Sequence, residues 1–290
     1  MSLLLQLLVN GLLLGGAYAI ISIGLTLIFG VVRIVNFAHG EFLMIGMYVV
    51  WLFAQHMGLH PYAAAPLVAL LLFCLGALMQ RAIIQPLLSA DGHIQIFATV
   101  GVSTALLNLA LMLFGADIRK VDAVFGTEPL SLGSLTYVSG QLITFVAALL
   151  IATALHLFLK HTYTGRAFRA LSQNRVAAAL MGVNVNAMYV LAFGMGTGLV
   201  GLAAGLISVQ YPAFPTVGSY FVLTAFVIVV LGGMGSLPGA VIGSLFIGLI
   251  DSFAGYFVGP DLKEVVYFLV FLGILSIRPT GLFGLGRGSE

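Results

Sequence analysis

Apolar runs about twenty residues long recur along nearly the whole chain, from LLLQLLVNGLLLGGAYAIISIGLTLIF near its start to VVYFLVFLGILSI near its end. A helix of roughly twenty residues crosses a hydrocarbon core of about 30 Å, so each run is long enough to be a span. Only 7% of the 290 residues are charged and the mean hydropathy is +1.17, against about 25% charged residues in soluble domains. The ten-residue apolar–polar alternation of an outer-membrane barrel is absent. The expected fold is therefore an all-α polytopic integral membrane protein. It is a bundle of about eight to nine transmembrane helices with broken or re-entrant segments, forming a single domain over 1–290. Candidate spans are 4–30, 41–57, 62–80, 94–114, 139–159, 187–209, 219–231, 239–258 and 264–278. The gaps at 115–138 and 160–186 are too short to bury a core of their own.

Other whole-chain features narrow the function. The first apolar run has no basic residues ahead of it and reads as a retained span. Cys74, the one cysteine, rules out an intrachain disulfide and reads as a packing residue. A net charge of +2 gives no basis for nucleic-acid binding. Lysine and arginine set the orientation. With 160–186 in the cytoplasm, Arg81, Lys160, Arg166, Arg169, Arg175, Arg278 and Arg287 share that side, while Arg119, Lys120 and Lys263 lie opposite. The N-terminus is then outside and the C-terminus cytoplasmic.

Three segments break the apolar pattern informatively. RIVNFAHGEF, 33–42, places Arg33, Asn36, His39 and Glu41 between two spans. At 100° per residue these four cannot share one narrow helical face. A break at Gly40 resolves this, with Glu41 in the first turn of the next helix, where an acid suits the dipole. Two readings stay open: a short cytoplasmic turn, or a re-entrant element lining a translocation path with Asn36, His39 and Glu41. Ionisable groups inside a bundle default to functional hypotheses. LGGMGSLPGA is the second segment, because Gly232, Gly233, Gly235, Pro238 and Gly239 cannot all occupy a regular helix. The third is HTYTGRAFRALSQNRVAAALMGVNV, 161–185, basic yet carrying Phe168, Leu171, Val176 and Leu180. Asn174 is a good N-cap and Gly182 a good stop. The two-turn helix between them is too short to persist in water alone, which points to docking on another protein or on the lipid surface.

Gly194, Gly198, Gly201 and Gly205 form a small-residue stripe that lets backbones approach closely. His56 and His60 flank Gly58 and read as an interfacial turn rather than a metal site. Asp251 and His156 lie in different spans and read as interior hydrogen-bonding groups. No Gly-Lys-Ser/Thr phosphate loop occurs, so ATP dependence requires a partner.

Ala177-Ala178-x-x-x-Gly182 in a basic loop resembles the coupling segment of ABC importer permeases. Together with NFAHGEF and VLGGMGSLPGAVIGSLFIGL it resembles the LivH-type permease of branched-chain amino-acid importers, in the same motif order and over nearly the whole chain. The resemblance implies a transport subunit without its own enzyme activity or cofactor, in a bacterial cytoplasmic membrane. Its implied partners are a homologous second permease, two cytoplasmic ATP-binding subunits and a periplasmic substrate-binding protein. Arg166, Arg169, Arg175, Ala177, Ala178 and Gly182 would couple it to the ATPase. The family's acid is replaced here by Val176, and often another by Asn174, so this interface rests on arginines and apolar contacts. Alternatives are a urea or short-amide permease of the same class, an ion-coupled secondary transporter using Glu41 or Asp251, and a passive channel. An intramembrane enzyme lacks a nucleophile–base pair at helix spacing.

Overall fold

A computed structural model describes residues 2–123, 125–132 and 135–283; Arg287 lies outside the described residues. The helices are α1 (Ser2–Val32), α2 (His39–Met57), α3 (Pro61–Met79), α4 (Gly92–Phe114), α5 (Ser139–His161), α6 (Tyr163–Gln173), α7 (Arg175–Leu180), α8 (Val185–Ile207), α9 (Val217–Gly232), α10 (Leu237–Phe257) and α11 (Lys263–Ile277). Strands β1 (Pro129–Leu132) and β2 (Leu135–Val138) form an antiparallel hairpin between α4 and α5. Each of the nine expected spans contains a helix. Six are long and apolar enough to cross a membrane on their own: α1, α3 with its continuation to Leu87, α4, α5, α8 and α10. α9 and α11 are shorter, and α2 starts with His39 and Glu41 and ends near Gln55 and His56. The protein is an all-α polytopic membrane protein.

Burial divides the helices sharply. α1 and α8 are largely enclosed, whereas α4 buries only Thr99 and Ala110 among its 23 residues. The enclosed pair depends on small residues. A Cβ added at Gly201 would sit 2.6 Å from Ala69 Cα, and one at Gly11 2.8 Å from Leu249 Cα. The stripe on α8 thus lies against α3 inside this chain, and α1 lies against α10 in the same manner. In lipid, where the hydrophobic effect does not drive helices together, such backbone approach supplies dispersion contact.

These contacts form a repeating scheme. α1–α2–α3 and α8–α9–α10 are two three-helix halves, with α3 packed antiparallel on α8 as α10 is on α1. α1 and α8 cross where Gly24 faces Gly196, each lying within 2.7 Å of a Cβ built on the other. α2 and α9 meet where Gly40 faces Gly218, again reciprocally. The two halves make matching contacts at these glycine pairs, and α1 and α8 run in opposite directions, with Val31 and Val32 near Tyr189 and Gly24 against Gly196.

Two irregular connections interrupt the centre of the bundle, 33–38 between α1 and α2 and 208–216 between α8 and α9. α1 ends at Val32, and Arg33 reverses the chain with φ +61°, a conformation uncommon outside glycine. After residues 34–38, the His39 Nε2 lies 3.0 Å from the Ile21 carbonyl oxygen. Ile21 is eleven residues before Val32, about 16 Å back along α1 at 1.5 Å per residue. The start of α2 thus lies alongside the interior of α1. Gly40, expected at the break, sits in the first turn of α2; the break precedes it because Gly40 is needed where Gly218 approaches. Residues 208–216 connect α8 to α9 and pair with the segment after α4 through an Arg119–Ala213 bridge.

The second glycine-rich segment breaks more locally. Gly232 closes α9, and Gly233 and Gly235 turn the chain with φ of +98° and +86°. Pro238 and Gly239 already belong to the first turn of α10, where proline's missing N–H costs nothing. Ser236 caps that helix by accepting from the Gly239 N–H at 3.2 Å.

Candidate translocation site

Asn36, His39 and Glu41 lie just before and within the first turn of α2, each at most 2% exposed. The Asn36 Oδ1 accepts from the Ala38 N–H at 3.1 Å, tying the connecting segment to the start of α2. Glu41 Oε1 accepts from the Ser103 hydroxyl of α4 at 2.7 Å. Its Oε2 lies against Gly218, where any side chain would displace it. Neither α2 nor α9 has a side-chain cap at its N-terminus. Two sets of uncapped N–H groups, each carrying partial positive charge, therefore converge beside one carboxyl group. Asn36 Nδ2, His39 Nδ1 and Glu41 Oε2 have no hydrogen-bond partner among the described residues. Buried polar atoms are normally satisfied, so this junction holds surplus donor and acceptor capacity among the described residues.

A second buried polar group lies on the far side of α9. Asp251 of α10 receives the Tyr18 hydroxyl at 2.8 Å and the Lys263 ammonium at 2.8 Å, and Lys263 also reaches the Tyr220 hydroxyl at 3.2 Å.

The family described as branched-chain amino acid transport system / permease component matches residues 7–275. The chain belongs to that family. It is 32% identical over 295 residues to the high-affinity branched-chain amino acid transport system permease protein BraD of Pseudomonas aeruginosa, covering 97% of this chain and 95% of the relative. With the corresponding permease protein LivH of Escherichia coli K12 the identity is 30% over 294 residues, at the same coverage. The ribose import permease protein RbsC of Escherichia coli K12 is 30% identical over 181 residues, 56% of this chain and 53% of its own. No solved structure matches the chain.

This member of the permease family carries its proposed coupling residues on α6, on α7 and at Gly182 just after it. α6 is amphipathic: Thr162 caps it, Phe168 and Leu171 are buried, and its polar face is exposed. Asn174 Oδ1 accepts from the Ala177 N–H at 3.0 Å, and Gly182 stops the chain at φ +84°. Ala178 is buried, whereas Ala177 is exposed. Val176, Leu180 and Met181 are 68%, 83% and 84% exposed. Arg175 lies 5.5 Å over the Tyr189 ring, and beside it a cavity of about 440 Å³ is lined by Arg33, Gln95, Asn174 and Arg175. Arg166 and Arg169 turn back to the carbonyls of His161 and Lys160. Arg33 joins this region through the Ser172 carbonyl and does not enter the junction.

Of the remaining sequence candidates, His60 caps α3 and bonds the Phe125 carbonyl at 3.1 Å, and no metal-ligating cluster exists among the described residues. His156 is exposed and Asp251 buried. Sequence reasoning missed Tyr18, Tyr220 and Lys263 as partners of Asp251. The available signal was a lysine twelve residues after an intramembrane acid, across the α10–α11 turn.

Proposed function

We propose that this permease conducts branched-chain or related amino acids through the membrane, as one subunit of an ATP-driven ABC importer. The observation that carries this reading is the junction: two uncapped helix N-termini and the Glu41 carboxyl group meet between inverted halves. Inverted repeats with discontinuous helices place small solutes where the halves meet. Helix N-termini suit the carboxylate of an amino acid, and Glu41 suits its ammonium. Since the three polar residues are enclosed here, substrate passage requires the halves to shift against each other.

The chain supplies no ATP-binding loop, so hydrolysis falls to two cytoplasmic subunits. Their docking surface is α7 with Val176, Leu180 and Met181, flanked by Arg166, Arg169 and Arg175. A homologous second permease and a periplasmic binding protein complete the assembly. The orientation follows the basic residues, with the N-terminus outside and α6–α7 in the cytoplasm of a bacterial inner membrane. ATP-driven movement of the docked subunits would reach the bundle through α7 and the α8 that follows it.

Uptake of radiolabelled leucine into proteoliposomes holding the full complex tests this. Accumulation should require ATP and ignore an imposed proton or sodium gradient; uptake driven by the gradient alone would replace the ABC reading with an ion-coupled one.

A further inference from the structure

At the hairpin end of the bundle, four helices converge on one ion pair. That α1, β2 and α10 share this end follows from Gln6 bonding Thr136 and Ser252 bonding the Leu7 carbonyl. Asp251 is 3% exposed and Lys263 keeps 22% of its side chain accessible. Tyr18 Oη lies 3.4 Å from Tyr220 Oη, and the Lys263 Nζ lies 5.7 Å over the Tyr220 ring. Phe221 bridges outward: it packs edge-on against Tyr18 and against Tyr211, with centroids 6.3 and 5.5 Å apart. Tyr211 forms a wall of a cavity of about 380 Å³, which Lys120, Gln141 and Gln210 also line.

Stability alone does not account for this group. A buried ion pair is commonly no more stabilising than the apolar residues that would replace it, and ionisable groups within a membrane bundle are retained for function. We propose that Asp251 and Lys263, with Tyr18 and Tyr220, form a head-group site for an α-amino-acid zwitterion approaching from the hairpin end. This rests on the amino-acid importer reading and adds a residence point before the central junction. The zwitterion is itself an ammonium and a carboxylate on one carbon. Its ammonium takes the place of Lys263 on Asp251, which Tyr18 holds in position. Its carboxylate takes the place of Asp251 on Lys263 and meets the Tyr220 hydroxyl. Each charge stays paired throughout the exchange, so the site admits a zwitterion without trapping it. Lys263 is the member that moves, because it is partly exposed and opens α11 just after the turn at Gly259, whose φ is +115°. A lone cation or anion would leave one charge unpaired, which sets the preference for zwitterions.

The test compares Lys263→Met with the double variant Asp251→Asn/Lys263→Met in the reconstituted complex, reading thermal stability and leucine taken up per ATP hydrolysed. The single variant strands a buried carboxylate and should lower both. In the double variant stability should return, while leucine per ATP stays down by about tenfold. Tyr220→Phe leaves the ion pair whole and should lower leucine per ATP severalfold at unchanged stability; it decides the matter if the double variant does not assemble. Recovered uptake in the double variant, or an unaffected Tyr220→Phe, would make the pair a structural clamp and overturn the proposal. A wild-type complex that takes up neither leucine, isoleucine nor valine sinks the importer reading itself, before any variant is compared.

Discussion

The centre of the bundle and its α6–α7 face invert each other's chemistry. At the centre, Asn36, His39 and Glu41 are polar and enclosed; on α7, Val176, Leu180 and Met181 are apolar and open. The central residues are enclosed because the chain turns at Arg33 and starts α2 against the interior of α1, where the His39 side chain reaches the Ile21 carbonyl. The α7 residues are open because a six-residue helix, held by one cap and one glycine stop, has nowhere in this chain to bury them. One region thus keeps unmet polar demand inside, and the other keeps unmet apolar demand outside. In the proposed function the first receives a polar solute and the second a protein partner.

Breaking the centre should have the largest effect. Gly218→Val places a branched side chain against Glu41 Oε2, which would be displaced, and against the Gly40 backbone, which cannot yield as a side chain can. Overpacking of a core costs about 1–3 kcal/mol even where side chains can adjust, and here backbone must move. The expected outcome is a lower thermal midpoint for the purified permease and no measurable uptake. The corresponding change on α7, Ala177→Val, should leave the midpoint unmoved.

Next in size is Glu41→Gln, which removes the charge and retains an acceptor for Ser103. A purely architectural Glu41 predicts equal or greater stability with normal uptake. The transport role predicts the same stability with uptake about tenfold lower, the scale of one lost charged hydrogen bond. Measuring both in the same preparation separates the two.

How much of this was readable in advance depends on the range of the determinant. α7 was legible to the residue, because Asn174 and Gly182 act within three or four positions of the backbone groups they satisfy. The spans were legible for the same reason: an apolar run states its own length. The course of 33–38 was legible only as two open readings, since a polar turn and a re-entrant loop have the same composition. The connection at 208–216 was not legible at all. SVQYPAFPT carries no buried charge to mark it, and the Gly40–Gly218 approach joins positions with no shared period. The Asp251–Lys263 pair was missed because Lys263 falls in the gap between the candidate spans 239–258 and 264–278 and was counted only as an outer-side basic residue.

Third in size comes the open face. Leu180→Ser with Met181→Ser removes apolar surface that is 83% and 84% exposed, so the permease midpoint should not change. Truncated anchors at the middle of an interface cost about 2 kcal/mol or more, so recovery of ATP-binding subunits on the permease should fall clearly. A lipid-surface role for α7 instead predicts full recovery of those subunits.

The smallest expected effect is also the one that probes what α7 transmits. Asn174→Ala removes the side-chain acceptor for the Ala177 N–H and touches none of the exposed apolar residues. Losing such a cap costs about 1 kcal/mol of helix stability, too little to unfold the bundle but enough to fray a six-residue helix. If α7 works as a rigid lever, the ATP-binding subunits should still bind and hydrolyse ATP, while leucine per ATP drops about fivefold. If α7 is only an adhesive patch, binding should weaken and leucine per ATP in the complexes that remain should stay the same. The ratio of uptake to hydrolysis, measured against the Leu180→Ser/Met181→Ser variant, therefore distinguishes a surface that holds the motor from one that carries its movement to the junction.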